Sequence, residues 1–306
     1  MSTTIGWAGL GNMGNAIVQN LIKNGCVVNV YNRTKEKEEE LVRAGAKSQE
    51  SLQQLVHNSP VIFTMVSDDE AVKEVYSGEQ GLLSHSPGGK IFVDMSTVSP
   101  HTSQYLADVC NKSQNQFIEA PVSGSVKPAQ DGTLIIMAAG HAEAYGKVKP
   151  IFDIIGKLSL YLGDSGAGSS AKLAINYFLA LNLQGLAETV LFAQNNGIKT
   201  EHMLTIINEG ALANGITKGK APSILNKEFP AAFALKHLAK DLRLADQQGL
   251  QTPLFQPVLH SFQQALQNGL GEEDVMAIFK YLQENKTSHP AVTNIYPDDN
   301  VSDYAN

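Results

Sequence analysis

The sequence predicts an α/β domain with a doubly wound, mostly parallel sheet, followed by an all-α domain, the two joined by one long helix. Three observations carry this prediction. Short apolar strands alternate with helical segments through the first half of the chain. The strand pattern stops after the glycine-rich residues 163–168. Residues 167–195 then have the composition of a single long helix.

The segments of the first half alternate between strand and helix. Apolar runs of strand length occur at residues 5–9, 27–31, 61–66, 91–95, 117–120 and 134–139. Helical spacing occurs at residues 12–23, 36–43, 69–76 and 100–112. Since strands that alternate with helices form parallel βαβ units, we expect a sheet covered by helices on both faces.

The long helix is expected to be buried on most faces, because it is apolar nearly all round. At about 1.5 Å per residue it spans roughly 40 Å. Further helices are predicted at residues 201–209, 222–226, 235–248, 253–268 and 272–284. The predicted division is a first domain over residues 1–165, a helical domain over residues 166–286 and a loosely packed or disordered polar tail over residues 287–306.

Composition and charge exclude several classes of protein. The net charge is −7 and no run of Lys or Arg occurs, so we expect no nucleic-acid partner. The two cysteines have no metal-ligand spacing, so we expect no metal and a reducing, cytoplasmic location. The start of the chain shows no targeting pattern. The most apolar stretch, residues 171–193, includes Lys172, Glu188 and several amides, too many polar groups for a membrane span.

A glycine-rich loop follows the first strand and opens the first helix. Glycines in such a loop permit a tight turn, close approach of the backbone to a pyrophosphate, and close packing of helix on strand. The helix N-terminus adds free N–H groups and a positive dipole. A plain glycine turn is the alternative. The strand–loop–helix context favours a dinucleotide site of the Rossmann type, formed by Gly9, Leu10, Gly11, Asn12, Met13 and Gly14.

The second strand ends in Asn32-Arg33-Thr34, without the acidic residue that usually binds the ribose 2′-hydroxyl of NAD. The guanidinium of Arg33 is planar and always charged, which suits a 2′-phosphate. Asn32 and Thr34 can add hydrogen bonds. The alternative is that Arg33 is a solvated loop residue. The pattern favours NADPH/NADP+ as cofactor.

Lys172 and Asn176 are four residues apart on the long helix, so they share one face. A lysine on so apolar a helix is costly unless it has a partner or a function. Burial lowers the pKa of an ammonium, so that it can donate a proton near neutral pH. On spacing alone, a lysine that extends to the surface is the stronger interpretation.

Five sequence blocks, in order, resemble the β-hydroxyacid dehydrogenase family over about residues 4–285. The blocks are residues 9–14, residues 94–100 (Asp-Met-Ser-Thr-Val-Ser-Pro), residues 119–125 (Glu-Ala-Pro-Val-Ser-Gly-Ser), residues 166–168 with Lys172 and Asn176, and residues 240–242 (Lys-Asp-Leu). Within the family the chain looks most like the glyoxylate/succinic semialdehyde reductases. That likeness is carried by Ser125 and residues 32–34, 127–132, 210–214 and 229–237.

The resemblance implies NADPH-dependent reduction of a small aldehyde that bears a carboxylate. Lys172 is then the proton donor to the developing alkoxide, and Asn176 holds the lysine or the substrate. The substrate carboxylate is expected in an anion nest at Ser123, Gly124 and Ser125.

The resemblance also implies further contacts to substrate and cofactor. Thr97, Phe233 and Asp241 complete the expected substrate site. The structural alternatives are a turn residue for Thr97, core packing for Phe233 and a surface carboxylate for Asp241. Besides the glycine loop and residues 32–34, the expected cofactor contacts are Val66, Ser67, Thr97 and Lys240.

Two other functions remain open. Within the family, the alternative is a 3-hydroxyisobutyrate or tartronate semialdehyde dehydrogenase/reductase. From another class, it is a non-catalytic dinucleotide-binding interaction protein, although such a protein is expected to have lost Lys172. A phosphogluconate dehydrogenase is disfavoured by Ile175, where that group has His, and imine reductases usually lack the lysine. The apolar long helix also predicts a homodimer or a dimer of dimers.

Overall fold

The computed structural model describes residues 4–285. The predicted polar tail, residues 287–306, lies outside the described residues. In the part of the chain that is described, no helix is long and apolar enough to cross a membrane. Among those same residues, no group of three His, Cys, Asp or Glu side chains is placed to hold a metal ion.

Nine strands among residues 4–285 form one sheet. They are β1 (Ile5–Ala8), β2 (Val28–Tyr31), β3 (Lys47–Ser48), β4 (Val61–Thr64), β5 (Ile91–Asp94), β6 (Gln116–Glu119), β7 (Val122–Ser123), β8 (Leu134–Gly140) and β9 (Gly156–Tyr161). Their order is β3-β2-β1-β4-β5-β6-β8-β7, with β9 paired to β8. The first six strands are parallel, whereas β8 runs antiparallel to β6 and β7. The predicted doubly wound, mostly parallel sheet is confirmed.

The α-helices surround this sheet and then form a separate helical part. They are α1 (Asn12–Lys23), α2 (Glu39–Arg43), α3 (Leu52–Asn58), α4 (Asp69–Ser77), α5 (Pro100–Lys112), α6 (Val126–Gln130), α7 (Ala142–Ile155), α8 (Ala167–Asn195), α9 (Thr200–Glu209), α10 (Gly215–Asn226), α11 (Leu235–Gln247), α12 (Phe255–Gln267) and α13 (Ile278–Glu284). The predicted Rossmann-type first part, followed by a helical part, is confirmed.

Several predicted elements need correction. The helix placed at residues 222–226 starts seven residues earlier, because Asn214 caps α10 in a capping box with Thr217, and Pro222 lies inside the helix. The helix placed at residues 272–284 is interrupted, since α13 follows two short 3₁₀ turns, Leu270–Glu272 and Val275–Ala277. Strands β7 and β9 extend the sheet beyond the two segments that were expected to complete it.

The buried apolar residues pack in two places, in clusters around the sheet and in one cluster among the helices that follow it. Around the sheet, Trp7 stacks on Phe63 with ring centroids 5.5 Å apart, and Phe152 meets Phe63 edge to face. The helical cluster lies among α8, α11 and α12, where Phe255 and Phe262 are fully buried. The first turns of α8 pack on the sheet and the rest of the helix enters the helical cluster. The domain boundary at residues 165/166 stays a prediction.

Helix α8 is not buried as completely as its composition predicts. In the single chain, Ile175 is 39% exposed, Phe178 60% and Phe192 71%. These residues share one face, because their spacing is three to four residues or a multiple of it. One face of α8 therefore presents apolar side chains to its surroundings.

Candidate active site

The three glycines of the first loop have different surroundings. Gly9 has φ +100°, and a Cβ there would lie 2.3 Å from the backbone oxygen of Met65. A Cβ at Gly14 would lie 2.3 Å from the oxygen of Gly9, which shows how closely helix and strand pack. At Gly11 it would meet no atom within 4 Å. Among residues 4–285 no side chain caps α1, so the first N–H groups of this helix are not used in capping and can bind a pyrophosphate.

Asn32 ties the end of β2 to this loop. Its Oδ1 accepts a hydrogen bond from the N–H of Leu10 at 2.9 Å, and its Nδ2 donates to the oxygen of Thr34 at 2.8 Å. Arg33, between the two, is exposed. The loop is thereby fixed on both sides of Arg33, which is free to meet a 2′-phosphate. The residues present fit a dinucleotide cofactor.

The loops after β4 and β5 are joined by Ser96, which sequence reasoning missed. The N–H of Val66 donates to Ser96 Oγ at 2.9 Å, and this hydroxyl donates to Asp94 Oδ1 at 2.7 Å. Ser67 follows Val66, and its hydroxyl donates to Asp68 at 2.7 Å. The arrangement brings the predicted cofactor residues Val66, Ser67 and Thr97 to the carboxyl edge of the sheet, where such sheets bind ligands.

Asp94 is a buried carboxylic acid beneath these loops. Its Oδ1 also accepts from Thr64 Oγ1 at 2.7 Å, whereas its Oδ2 has no hydrogen-bond partner among the described residues. Burial raises the pKa of Asp94 to about 6, although hydrogen bonds from Thr64 and Ser96 oppose the shift. Above that pH the folded protein holds a buried charge.

Replacing Asp94 by Asn should change the pH dependence of stability. The pKa of Asp94 in the folded protein, about 6, exceeds the value of about 3.9 expected when unfolded. The protonated acid therefore favours folding below pH 4, and this contribution is lost as the pH rises through 6. Relative to Asp94→Asn, we expect the wild type to lose about 2–3 kcal/mol of unfolding free energy between pH 4 and 8. Urea denaturation across that range measures it, and two parallel curves would contradict the expectation.

Lys172, Asn176 and Asp241 form a hydrogen-bonded chain. Lys172 Nζ donates to Asn176 Oδ1 at 3.1 Å, and Asn176 Nδ2 donates to Asp241 Oδ2 at 2.6 Å. Lys172 is 9% exposed, Asn176 4% and Asp241 2%. The carboxylate of Asp241 thus fixes the orientation of the Asn176 amide. The amide nitrogen faces Asp241 and the amide oxygen faces Lys172.

Lys240 links this chain to the sheet. Its Nζ lies 3.1 Å from Asp241 Oδ1, an ion pair that lacks hydrogen-bond alignment, and it donates to the backbone oxygen of Thr97. Burial lowers the pKa of Lys172, Asp241 raises it again in part, and Lys240 lowers it further. A lysine in such surroundings can lose its proton closer to neutral pH.

The predicted carboxylate loop lies against the same helix. Strand β7, which ends at Ser123, packs on α8. Gly124 has φ +136°, which favours glycine, and a Cβ there would lie 2.7 Å from the side chain of Leu134. Ser125 is the N-cap of α6 but makes no side-chain cap. The loop therefore offers backbone N–H groups and a hydroxyl that is not used in capping.

Glu119 fastens the N-terminus of α8 to β6, a function that sequence reasoning missed. Its Oε1 accepts from the N–H groups of Gly166 at 2.6 Å and Gly168 at 2.8 Å. Its Oε2 accepts from Ser169 Oγ at 2.6 Å and from Ser169 N–H at 3.3 Å. A carboxylate at a helix N-terminus is stabilised by the free N–H groups and the helix dipole. Lys172 lies one turn further along the helix that Glu119 holds.

The segment that contains Phe233 is held by hydrogen bonds to Asp274. Asp274, which is 1% exposed, accepts from the N–H of Phe233 at 3.4 Å and pairs with Lys220 at 2.7 Å. The Phe233 ring stacks near the ring of His237, with centroids 6.2 Å apart. Burial, then Lys236 and Lys240, lower the pKa of His237. Phe233 is partly buried against the helical core, so packing accounts for part of its surroundings.

Two family models match nearly all of the described chain. Residues 4–163 match the NAD binding domain of 6-phosphogluconate dehydrogenase, and residues 166–282 match the NAD-binding region of NADP-dependent 3-hydroxyisobutyrate dehydrogenase. Together with the glycine loop and the buried lysine, these matches define an NAD(P)-dependent oxidoreductase.

Individual relatives narrow the class further. Glyoxylate/succinic semialdehyde reductase 1 of Arabidopsis thaliana is 38% identical over 280 residues, which are 90% of this chain and 97% of that protein. Reductase 2 of the same plant, named chloroplastic, is 36% identical over 94% of this chain and 81% of its own length. A solved structure named Psf3, in complex with NADP+ and 2-OPP, has a TM-score of 0.85 at 28% identity and covers 91% of this chain and 99% of its own. The chain belongs to the β-hydroxyacid dehydrogenase family, as its sequence blocks predicted.

Proposed function

We propose that the protein reduces glyoxylate, succinic semialdehyde or both to the corresponding hydroxy acid with NADPH. The observation that carries this proposal is the buried Lys172, which donates to Asn176, itself held by Asp241, on the helix that packs against β7. The names of the Arabidopsis relatives support the substrate class. Arg33, with no acidic residue among residues 32–34 at the end of β2, supports NADPH.

The glycine loop and residues 32–34 would hold NADPH, which would supply the hydride for the aldehyde carbon. Lys172 protonates the oxygen that becomes the alkoxide, and its lowered pKa assists the transfer. Asn176 Oδ1 accepts a hydrogen bond from one of the three N–H groups of the ammonium, and the other two stay available to the substrate. The N–H groups of residues 123–125 bind the carboxylate.

The remaining site residues have supporting functions in this proposal. Thr97 contacts the substrate or the ribose, Phe233 forms a wall that excludes water, and Lys240 reaches the cofactor. Asp241 is too buried to be an open substrate contact, and we assign it to hold Asn176 and to keep Lys172 charged.

Replacing Asp241 by Asn should move the pH profile of aldehyde reduction. Reduction requires charged Lys172, so kcat falls as the pH rises through the pKa of that lysine. The carboxylate of Asp241 raises this pKa, and its removal should shift the basic limb of the kcat profile to lower pH. Cofactor affinity should stay within about twofold. Asp246→Asn, an exposed site on the same helix, is the matched control. An unchanged profile with a raised KM would instead favour direct substrate binding by Asp241.

The first experiment for the function is oxidation of NADPH, and separately of NADH, with three aldehydes: glyoxylate, succinic semialdehyde and methylmalonate semialdehyde. We expect turnover with one of the first two and a preference for NADPH. Preference for NADH would contradict the argument from Arg33. Turnover of the branched semialdehyde alone would favour the 3-hydroxyisobutyrate dehydrogenase alternative, which the second family model also supports. Tight NADPH binding without any turnover would favour the non-catalytic alternative.

We also propose that the protein forms a homodimer, or a dimer of dimers, through the exposed face of α8. Ile175, Phe178 and Phe192 lie on this face. A Cβ at Gly185 would meet no atom of residues 4–285 within 4 Å, so a second helix can approach there. Light scattering at micromolar concentration should give the molar mass of a dimer or a tetramer. Phe178→Asp should lower that molar mass towards the value of a monomer. A wild-type monomer would contradict the proposal.

A cytoplasmic location is proposed as well and is tested by imaging a tagged chain.

A further inference from the structure

A buried carboxylate lies beneath the loop that follows β2. Glu38, at the end of the 3₁₀ turn Lys35–Glu38, is 3% exposed. Its Oε1 accepts from the backbone N–H of Asn32 at 2.6 Å and from Lys35 Nζ at 3.1 Å, and its Oε2 accepts from the hydroxyl of Ser48 on β3. With both oxygens engaged, Glu38 does not offer the carboxylate that an acid after β2 gives to a ribose 2′-hydroxyl in NAD enzymes.

Glu38 fixes the residue that positions Arg33. The backbone N–H of Asn32 donates to Glu38, while the Asn32 side chain accepts from the N–H of Leu10 and donates to the oxygen of Thr34. These contacts tie the backbone before Arg33 to Glu38, a buried carboxylate with a negative charge.

Lys35 neutralises that charge. Its Nζ also donates to the oxygen of Gln49 at 2.5 Å and lies 5.1 Å from the centre of the Tyr31 ring. Lys35 is the one cation paired with Glu38 in the part of the chain that is described. The ammonium is therefore held in place beside Glu38 by contacts that do not depend on a ligand.

We propose that the Lys35–Glu38 pair sets the selectivity for a coenzyme with a 2′-phosphate. This inference rests on the proposed use of NADPH. A phosphate carries a charge of about −1.5 to −2, whereas the 2′-hydroxyl of NADH carries none. Because Lys35 neutralises Glu38, a phosphate at Arg33 meets no uncompensated anion beneath the loop. A change that leaves either partner unpaired would act on a charged 2′-phosphate and much less on an uncharged 2′-hydroxyl.

Calorimetric binding of two fragments tests the inference without any turnover: adenosine 2′,5′-bisphosphate and adenosine 5′-monophosphate, both at low ionic strength. Lys35→Met leaves Glu38 uncompensated, and it should weaken the bisphosphate about tenfold and the monophosphate less than about twofold. Glu38→Gln leaves Lys35 as a free cation, and it should strengthen the bisphosphate alone by about threefold. Lys149→Met, which breaks the Lys149–Asp153 pair on α7, should match the wild type.

Opposite shifts confined to the bisphosphate support the inference. Equal shifts for both fragments overturn it, because the pair then only shapes the loop. No shift in either variant also overturns it and leaves NADPH use intact. If Glu38→Gln does not fold, as its melting curve shows, Lys35→Met decides alone. A wild type that binds both fragments equally well contradicts the NADPH proposal itself, and the inference fails with it.

Discussion

Replacing Lys172 by Met is expected to lower kcat for aldehyde reduction by a factor of roughly 10²–10⁴, the usual contribution of a positioned proton donor. Lys172 is 9% exposed, and methionine preserves most of its side-chain volume but has no proton to donate. Affinity for NADPH should change by less than about threefold, because Lys172 contacts Asn176 rather than the nucleotide loop. Stopped-flow reduction and fluorescence titration measure the two effects separately.

The matched control is Lys199→Met, since this lysine is 71% exposed and close to one end of the same long helix. It should retain full activity. Arginine at position 172 should not restore turnover, because a guanidinium does not release its proton at these pH values. Retention of kcat in Lys172→Met, with normal folding, would remove the lysine from the mechanism.

Replacing Glu119 by Gln is expected to lower the free energy of unfolding by about 3 kcal/mol. The carboxylate accepts four hydrogen bonds from Gly166, Gly168 and Ser169. An amide of the same shape turns an NH₂ group towards backbone donors and leaves buried N–H groups unsatisfied. The first turn of α8 should shift, and kcat should fall with it, because a misplacement of about 1 Å can cost 10²-fold in rate.

Urea denaturation and initial rates on the same preparation test this expectation. Glu188→Gln is the control, because Glu188 lies on the same helix and, among the described residues, accepts only from Gln184 at 2.8 Å. Its stability should stay within about 0.5 kcal/mol of the wild type. If Glu119→Gln were as stable and as active as that control, the contacts of Glu119 would neither stabilise the fold nor position α8.

Local patterns determine the elements that the sequence predicts well. Helices α1, α5 and α8 begin and end at the predicted residues, since each has a clear start and a turn residue at its end. Pro222 misled the prediction of α10, because proline is common at helix starts but is here tolerated within the helix. Strand β9 was missed although Leu158 and Leu160 alternate with polar residues, and this period of two could have revealed it.

The parts of the site that the sequence predicts are also local. The residues of the glycine loop are neighbours in sequence, and Lys172 is four residues from Asn176, so spacing and context identify both motifs. The contacts of Glu119 with α8 and of Asn176 with Asp241 join residues that are 47 to 65 positions apart. Periodicity carries no information on such pairs, because they depend on how the sheet and the helices pack. Glu38 was missed for a related reason, since a charged residue in a polar turn gives no sign of burial.

The contact between Glu119 and α8 also limits how this protein can be recombined with its relatives. The carboxylate precedes residue 165 in the sequence, and the backbone N–H groups that donate to it follow that residue. A crossover at residue 165 would therefore take the two halves of the contact from different parents. Ser103 adds to the dependence, because its hydroxyl lies 2.8 Å from that of Ser169. Chimeras that exchange helical portions to transfer substrate preference should therefore keep Ser103, Glu119 and Ser169 from a single parent.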